Sequence, residues 1–367
     1  MRILLLAPEI STPYSEGRKR FVLDLISELK HHDEVFLLTT TKIGQQTDVP
    51  IPYQTAELGH GALHLFYLFW QLPKVIKRFR PQLVCVFPHG TFRHLYGYAS
   101  VCFMWSIDQI CRNYQVPCQT IMYSIDEYSE PQRLQKYVSC LAMSQRKDWD
   151  GAVVNLGISC NDWPQYLCCS VSEKTLLFMA GMWEQTPQRI EHVIHVRGLG
   201  SLLQAGKFLA ANGVHIIIAA PLFASSQCQD YLYKHPLNTW PSEHIKFRAI
   251  AKVPEIYREA DLFVFPYQLN ITHFVPTSVL EAMLSGLCVA LSDRDFLLPL
   301  AQNEKTAYLF PANDPEKMAT VLLDALNSKQ ARQEKVQNAQ HYVRENWCIE
   351  VSVKQIRTLA HSMGYSG

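Results

Sequence analysis

Apolar residues along the chain follow two rhythms. RILLLA, EVFLLTT, QLVCVF, QTIMYS and GAVVNLG are short apolar runs closed by turn or polar residues, the pattern of strands buried on both faces. SEGRKRFVLDLISELKHH, which follows the first of them, carries Phe21, Val22, Leu25, Ile26 and Leu29 at helical spacing. The second half repeats this grammar. TLLFMAG, VHIIIAA, IKFRAI, DLFVFPY, LCVALSD and TAYLF read as strands. GSLLQAGKFLAANG, VPEIYREA, PTSVLEAMLSG and NDPEKMATVLLDALNS read as the helices among them, the last opened by Asp314 ahead of Pro315. Residues from about 329 to 363 read as helical, with a break at Asn346 and Trp347. Strands that alternate with helices predict parallel sheets covered on both faces. The expected architecture is α/β, two doubly wound parallel-sheet domains, about 1–170 and about 171–340.

Composition narrows the classes. A chain of 367 residues is comfortable for two domains. A net charge of +1 gives no global pointer to nucleic acid. Eleven cysteines without any CxxC pair fit a reducing, cytoplasmic setting better than a disulfide framework or a zinc site. MRILLLAPEI is too short in its apolar part for a signal peptide and reads as a strand. The longest uncharged apolar run, Leu95–Ile107, is too short to span a bilayer. LHLFYLFWQLPKVIKRFRP joins an aromatic cluster to Lys74, Lys77, Arg78 and Arg80. Residues 63–80 therefore fit either a core helix with a basic tail, which is favoured, or a helix lying peripherally on the inner face of an anionic membrane.

Chemistry concentrates in HFVPTSVLEAMLSGLCVALSD, which begins at His273. Pro276 suits a first helical turn, and Thr277 and Ser278 suit a cap or first turn. The first turn, through Val279, then presents amides near the carboxyl ends of the sheet, where open α/β sheets bind ligands and a helix start favours phosphate. Glu281 lies about one turn further in, placed to accept hydrogen bonds from a pair of sugar hydroxyls. Alone, Glu281 reads equally as a surface glutamate favoured by the helix dipole.

EADLFVFPY together with VPTSVLEAMLSGLCVALSD resembles the donor-site signature of the retaining GT-B glycosyltransferases of family 4, or group 1. That signature is an A-D-x-x-x-x-P-S strand, a loop, then E-x7-E followed by A-M-A-x-G-x-P-V-V-A. The resemblance implies a GT-B fold with two Rossmann-like domains facing a cleft, and a C-terminal helix, about 341–367, that packs back on the N-terminal domain. It places Glu281 on the ribose hydroxyls of a nucleoside diphosphate sugar. The signature's first glutamate, which contacts the donor sugar, falls on His273. RGLGSLLQAG is similar to the family's K-G-x-x-x-L-x-x-A segment, whose diphosphate-binding lysine falls on Arg197. An arginine fork pairs well with phosphate oxygens, although a solvated helix-start arginine fits the same position. If TLLFMAG is the strand before it, Gly181 is the strand glycine beside the donor. Met182 then stands where the family often has arginine, and Trp183–Val196 is an insertion. The alternative takes EHVIHV as that strand. SEGRKRF resembles the glycine-rich loop of the family's first domain, making Gly17 and Arg18 acceptor-side candidates.

The function so implied moves a sugar from a nucleoside diphosphate sugar to a glycan, lipid-linked or small-molecule acceptor, with retention. The second half has no DxD triplet, so a helix start and Arg197 are expected to stabilise the leaving diphosphate without metal or other cofactor. His89, Asp126 and His273 are the candidate catalytic residues. His89 reads equally as a loop histidine without a role, and Asp126, preceded by Ile125 where the family commonly has histidine, as a cap. The competing classes are a non-catalytic GT-B protein that binds a nucleotide sugar or glycan, and a GT-B relative such as a sugar epimerase.

Overall fold

The computed structural model describes residues 1–7, 10, 17–39, 54–57, 64–87, 98–122, 140–141, 152–161, 163, 174–181, 185–249, 253–269 and 275–362. The chain forms two compact units. One comprises Met1–Ile158 with Trp347–Gly367, the other Ser159–Asn346.

The first unit is built on an all-parallel sheet in the order β3-β2-β1-β4-β5-β6-β7. Its strands are β1 (Arg2–Leu6), β2 (Glu34–Thr39), β3 (Gln54–Glu57), β4 (Leu83–Val86), β5 (Cys118–Met122), β6 (Cys140–Leu141) and β7 (Ala152–Val153). Leu4, Leu5 and Leu6 are wholly buried, as the unbroken apolar run of a central parallel strand requires. The helices are α1 (Gly17–Leu29), α2 (His64–Phe79) and α3 (Tyr98–Asn113). α1 buries Phe21, Val22, Leu25, Ile26 and Leu29, the residues its periodicity marks. The strand β3, of sequence QTAE, has no apolar run to announce it.

The basic aromatic segment is helix α2, and it is two-faced. Leu68, Leu72, Val75, Ile76 and Phe79 are buried, while Phe69 and Trp70 are 53% and 59% exposed. Lys74 lies 4.1 Å above the Trp70 ring and Lys77 5.8 Å from that of Tyr114. Trp105 of the neighbouring α3 is 48% exposed. Among the described residues no helix is long and apolar enough to cross a membrane.

The end of the chain, α13 (Ile349–Ser362; the intervening helices α4 to α12 belong to the second unit), packs on α1. Arg357 pairs with Asp33, which also takes the α-amino group of Met1 at 2.9 Å. Ser352 Oγ accepts from the Gly157 amide at 3.0 Å and donates to the Asn155 carbonyl at 2.7 Å. A Cβ at Gly157 would overlap Ser352 and the Cys348 carbonyl. Cys160 and Cys348 are each disulfide-bonded, against the expectation of a reduced set, while Cys85, Cys102, Cys111, Cys118, Cys228 and Cys288 are free. Ile158 pairs with Cys348 in a parallel bridge, a proximity across 190 residues of chain that cysteine spacing cannot announce.

The second unit has a six-stranded parallel sheet in the order β10-β9-β8-β11-β12-β13. Its strands are β8 (Lys174–Met179), β9 (Val214–Ala219), β10 (Ile245–Arg248), β11 (Leu262–Phe265), β12 (Cys288–Ser292) and β13 (Tyr308–Phe310). TLLFMAG is thus the first strand of this unit. EHVIHV lies in helix α4 (Pro187–His195), whose Ile190, Val193 and Ile194 are buried. GSLLQAGKFLAANG is two helices rather than one, α5 (Leu199–Gln204) and α6 (Gly206–Ala211). Trp240 presses on the second, its indole donating to the Leu202 carbonyl at 2.8 Å where a Cβ at Gly206 would overlap the ring. The remaining helices are α7 (Ser226–Tyr233), α8 (Val253–Tyr257), α9 (Thr277–Leu284), α10 (Leu298–Ala301), α11 (Pro315–Asn327) and α12 (Lys329–Asn346). Asp314 caps α11, accepting from the Lys317 amide at 3.0 Å, as its place before Pro315 predicts.

Candidate functional site

Strand order in the second unit reverses between β8 and β11: β9 and β10 lie to one side, β12 and β13 to the other. A doubly wound sheet opens a crevice beyond the carboxyl ends of the strands at such a point. β8 leads there into Ala180 and Gly181, and β11 into Pro266, Tyr267 and Gln268. Among the described residues, a Cβ at Gly181 would meet nothing within 4 Å.

Arg197 and Gly198 are built into the same edge. The Gln268 amide donates to the Val196 carbonyl at 3.2 Å. Gly198 has φ +81° and rests so closely on the Pro266 carbonyl that a Cβ would overlap it. Only glycine tolerates both demands. The guanidinium of Arg197 sits 5.7 Å from the centre of the Tyr267 ring, which stacks on Phe265 at 4.6 Å and meets Phe296 edge-on at 5.8 Å. Burial pushes the Tyr267 phenol up in pKa and the Arg197 charge partly offsets it. Gln268 donates through Nε2 to Ser201 Oγ and to the Pro266 carbonyl, both at 2.9 Å. Arg197 Nε and Gln268 Oε1 are buried polar atoms without a hydrogen-bond partner among the described residues, a costly arrangement unless a ligand or water supplies one.

Helix α9 leaves the carboxyl side of β11 and returns the chain to β12. Pro276, expected in the first turn, is the N-cap, with Thr277 and Ser278 beginning the helix. Val279 is buried and its amide donates to the Pro276 carbonyl at 3.0 Å, so the amides ahead of it remain the ones a helix start presents outward. Glu281 is half-buried. Tyr257 Oη, at the end of α8, lies 3.2 Å from Glu281 Oε2 and 3.0 Å from the Ser278 carbonyl. A carboxylate held by a buried phenol is not a loose surface glutamate.

At the opposite end of β11, Asp261 Oδ2 accepts from the Thr175 amide at 3.1 Å, and its own amide donates to the Thr175 carbonyl at 2.9 Å. Burial raises its pKa, with the Thr175 bond opposing. This aspartate staples β11 to β8. Among the described residues one group of possible metal ligands gathers, Glu191, His195 and His235, with atoms within 4.8 Å of one another. His235 Nδ1 accepts the Leu237 amide at 3.2 Å, which leaves the ring proton on Nε2, facing Glu191 Oε1 at 3.5 Å. That tautomer pairs with a carboxylate, not with a metal.

His89, Asp126 and His273 lie outside the described residues, as does Met182. Gly17 and Arg18 open helix α1. Tyr257, Tyr267 and Gln268 are the site residues that sequence reasoning missed. Periodicity reads the first as a core aromatic. Tyr267 follows Pro266 where the signature quoted above has serine, the one signal that could have marked it.

Comparison with known proteins bears on these same residues. Residues 197–342 match the family model described as Glycosyl transferases group 1. The match begins at Arg197 and takes in Tyr257, Tyr267 and Glu281. No curated protein sequence matches the chain. Among solved structures, a glycosyltransferase from Rickettsia africae superposes with a TM-score of 0.75 at 12% identity, covering 100% of this chain and 99% of that one. Anabaena HepE in complex with UDP gives 0.71 at 14% identity, covering 99% of this chain and 100% of that one. Sucrose-phosphate synthase from Thermosynechococcus elongatus gives 0.70 at 14%, covering 99% of each. At such identities the likeness is one of fold, and the fold is GT-B: two α/β units, each Rossmann-like.

Proposed function

We propose that this chain is a glycosyltransferase that takes a sugar from a nucleoside diphosphate sugar, retains its anomeric configuration and passes it to a glycan, lipid-linked or small-molecule acceptor. The observation that carries this reading is Arg197, clamped at the strand-order reversal by Gly198, its guanidinium over Tyr267 and its Nε without a hydrogen-bond partner among the described residues. A planar cation fixed at the carboxyl edge of a doubly wound sheet suits a diphosphate. The start of α9 offers amides to the same kind of charge, and Glu281 offers a carboxylate to ribose hydroxyls. The match over 197–342 and a fold relative that binds UDP-glucose, Anabaena HepE, support a nucleotide sugar as the donor.

Chemically, the leaving diphosphate gains charge as the glycosidic bond breaks. Arg197 and the α9 amides stabilise that charge electrostatically, so no metal is required. Calorimetric titration with UDP, GDP and ADP tests the donor site, and turnover with the corresponding sugars tests the transfer. His273, where the resembling signature has glutamate, favours one second reading, a GT-B protein that binds a nucleotide sugar without turning it over. Binding without turnover would select it. The exposed Phe69 and Trp70 beside Lys74 and Lys77 support peripheral contact with an anionic membrane, which would bring a lipid-linked acceptor to the enzyme.

A further inference from the structure

Tyr257 is a buried phenol that this reading leaves without a task. It ends α8 at 2% exposure, with the rings of Trp163 and Phe263 each 6.0 Å away and edge-on. Phenylalanine would satisfy those contacts. The hydroxyl instead faces two acceptors, the Ser278 carbonyl and Glu281 Oε2. Burial first, then the Glu281 charge and the bond to it, push the phenol well up, so it stays a proton donor across the neutral range.

We propose that Tyr257 is a positioning residue: it holds the Glu281 carboxylate in the orientation that reads the ribose hydroxyls of the donor nucleotide, and so sets the preference of the site for ribonucleotides. A carboxylate has about four acceptor positions, so a bond from Tyr257 can set its rotation while it takes other partners. The same proton is shared with the Ser278 carbonyl at 3.0 Å, one turn earlier on α9, which keeps the phenol against the helix it serves. The inference rests on Glu281 being the ribose-binding group.

The test is a ligand cycle. Among UDP, GDP and ADP, the diphosphate that binds the wild-type protein is titrated calorimetrically beside its 2′,3′-dideoxy analogue. Tyr257→Phe keeps the ring, and its melting temperature confirms folding. The expected result is a rise in Kd of roughly tenfold for the ribonucleotide and less than about twofold for the dideoxy analogue, as a lost charge-assisted hydrogen bond implies. In a Glu281→Ala background the same change adds nothing. Equal losses for both ligands, or no loss, would overturn the positioning role. If the wild type binds the ribonucleotide and Glu281→Ala alone weakens it, only the role of Tyr257 falls. If the wild type binds none of the three, the reading of Glu281 falls and that of Tyr257 with it.

Discussion

Gly198 and Arg197 carry separable jobs, and substitutions separate them. Gly198→Ala places a side chain at φ +81° and against the Pro266 carbonyl, so the turn must shift. A loss of about 2–4 kcal/mol in unfolding free energy is expected from left-handed strain plus overpacking, read by urea denaturation. Arg197→Ala leaves that turn intact and removes the cation. UDP, or whichever diphosphate binds, should weaken by roughly 10- to 100-fold while the parent nucleoside is unaffected, because the lost bonds are to phosphate. Equal weakening of both ligands would place Arg197 elsewhere. Much of this was legible: Glu281 and Arg197 stand out as residue types in a pattern. The phenol that holds Glu281 did not, because the contact joins residues 24 apart through the packing of α8 on α9. Nor did the need for Gly198, since RG in a sequence does not show which carbonyl lies against it.

At the scale of elements, Asp314 offers a prediction with a sign. Its carboxylate accepts first from the Lys317 amide and then pairs with the Lys317 side chain, which lowers its pKa from 3.8. A depressed carboxylate stabilises the fold above its unfolded pKa and loses that contribution as pH falls through the folded value. The melting temperature of Asp314→Ala should therefore lie below wild type at pH 7, and the gap should close below about pH 3.8, the unfolded value. A gap unchanged at pH 2.5 would mean that the cap is not electrostatic. Helix α2 offers a second. If its exposed face meets anionic membrane, wild type should sediment with phosphatidylserine vesicles at low salt and be released as ionic strength rises. Trp70→Ala combined with Lys74→Glu and Lys77→Glu should abolish sedimentation, and retention by that variant would exclude this face. The strands that run as continuous apolar stretches, β1, β4, β8, β9, β11 and β12, announced themselves. β3 did not, because QTAE contains no apolar run. The split between α5 and α6 was hidden for another reason: the Leu202 carbonyl there bonds to Trp240 and those of Leu203 and Gln204 to Thr239, residues distant in sequence.

For the whole molecule, two doubly wound sheets with the second in the order 3-2-1-4-5-6 explain why the recognised features cluster. Arg197 comes from the β8–β9 crossover, and Tyr267, Gln268 and the start of α9 from the β11–β12 crossover of the same sheet, and the parallel topology delivers both to the carboxyl side of the strands. The alternation of strands and helices made that architecture readable from the sequence. Pairing order was not readable from it, and the pairing order locates the crevice. The central claim is that the second unit holds a nucleoside diphosphate with Glu281 on its ribose. The most direct measurement is thermal shift of wild type and Glu281→Ala with UDP-, GDP- and ADP-sugars at about millimolar concentration, where a ligand that binds only the folded state raises the melting temperature. The account predicts a rise with one nucleotide class, lost or much reduced in Glu281→Ala. No rise with any of them, or an equal rise in both proteins, would contradict it.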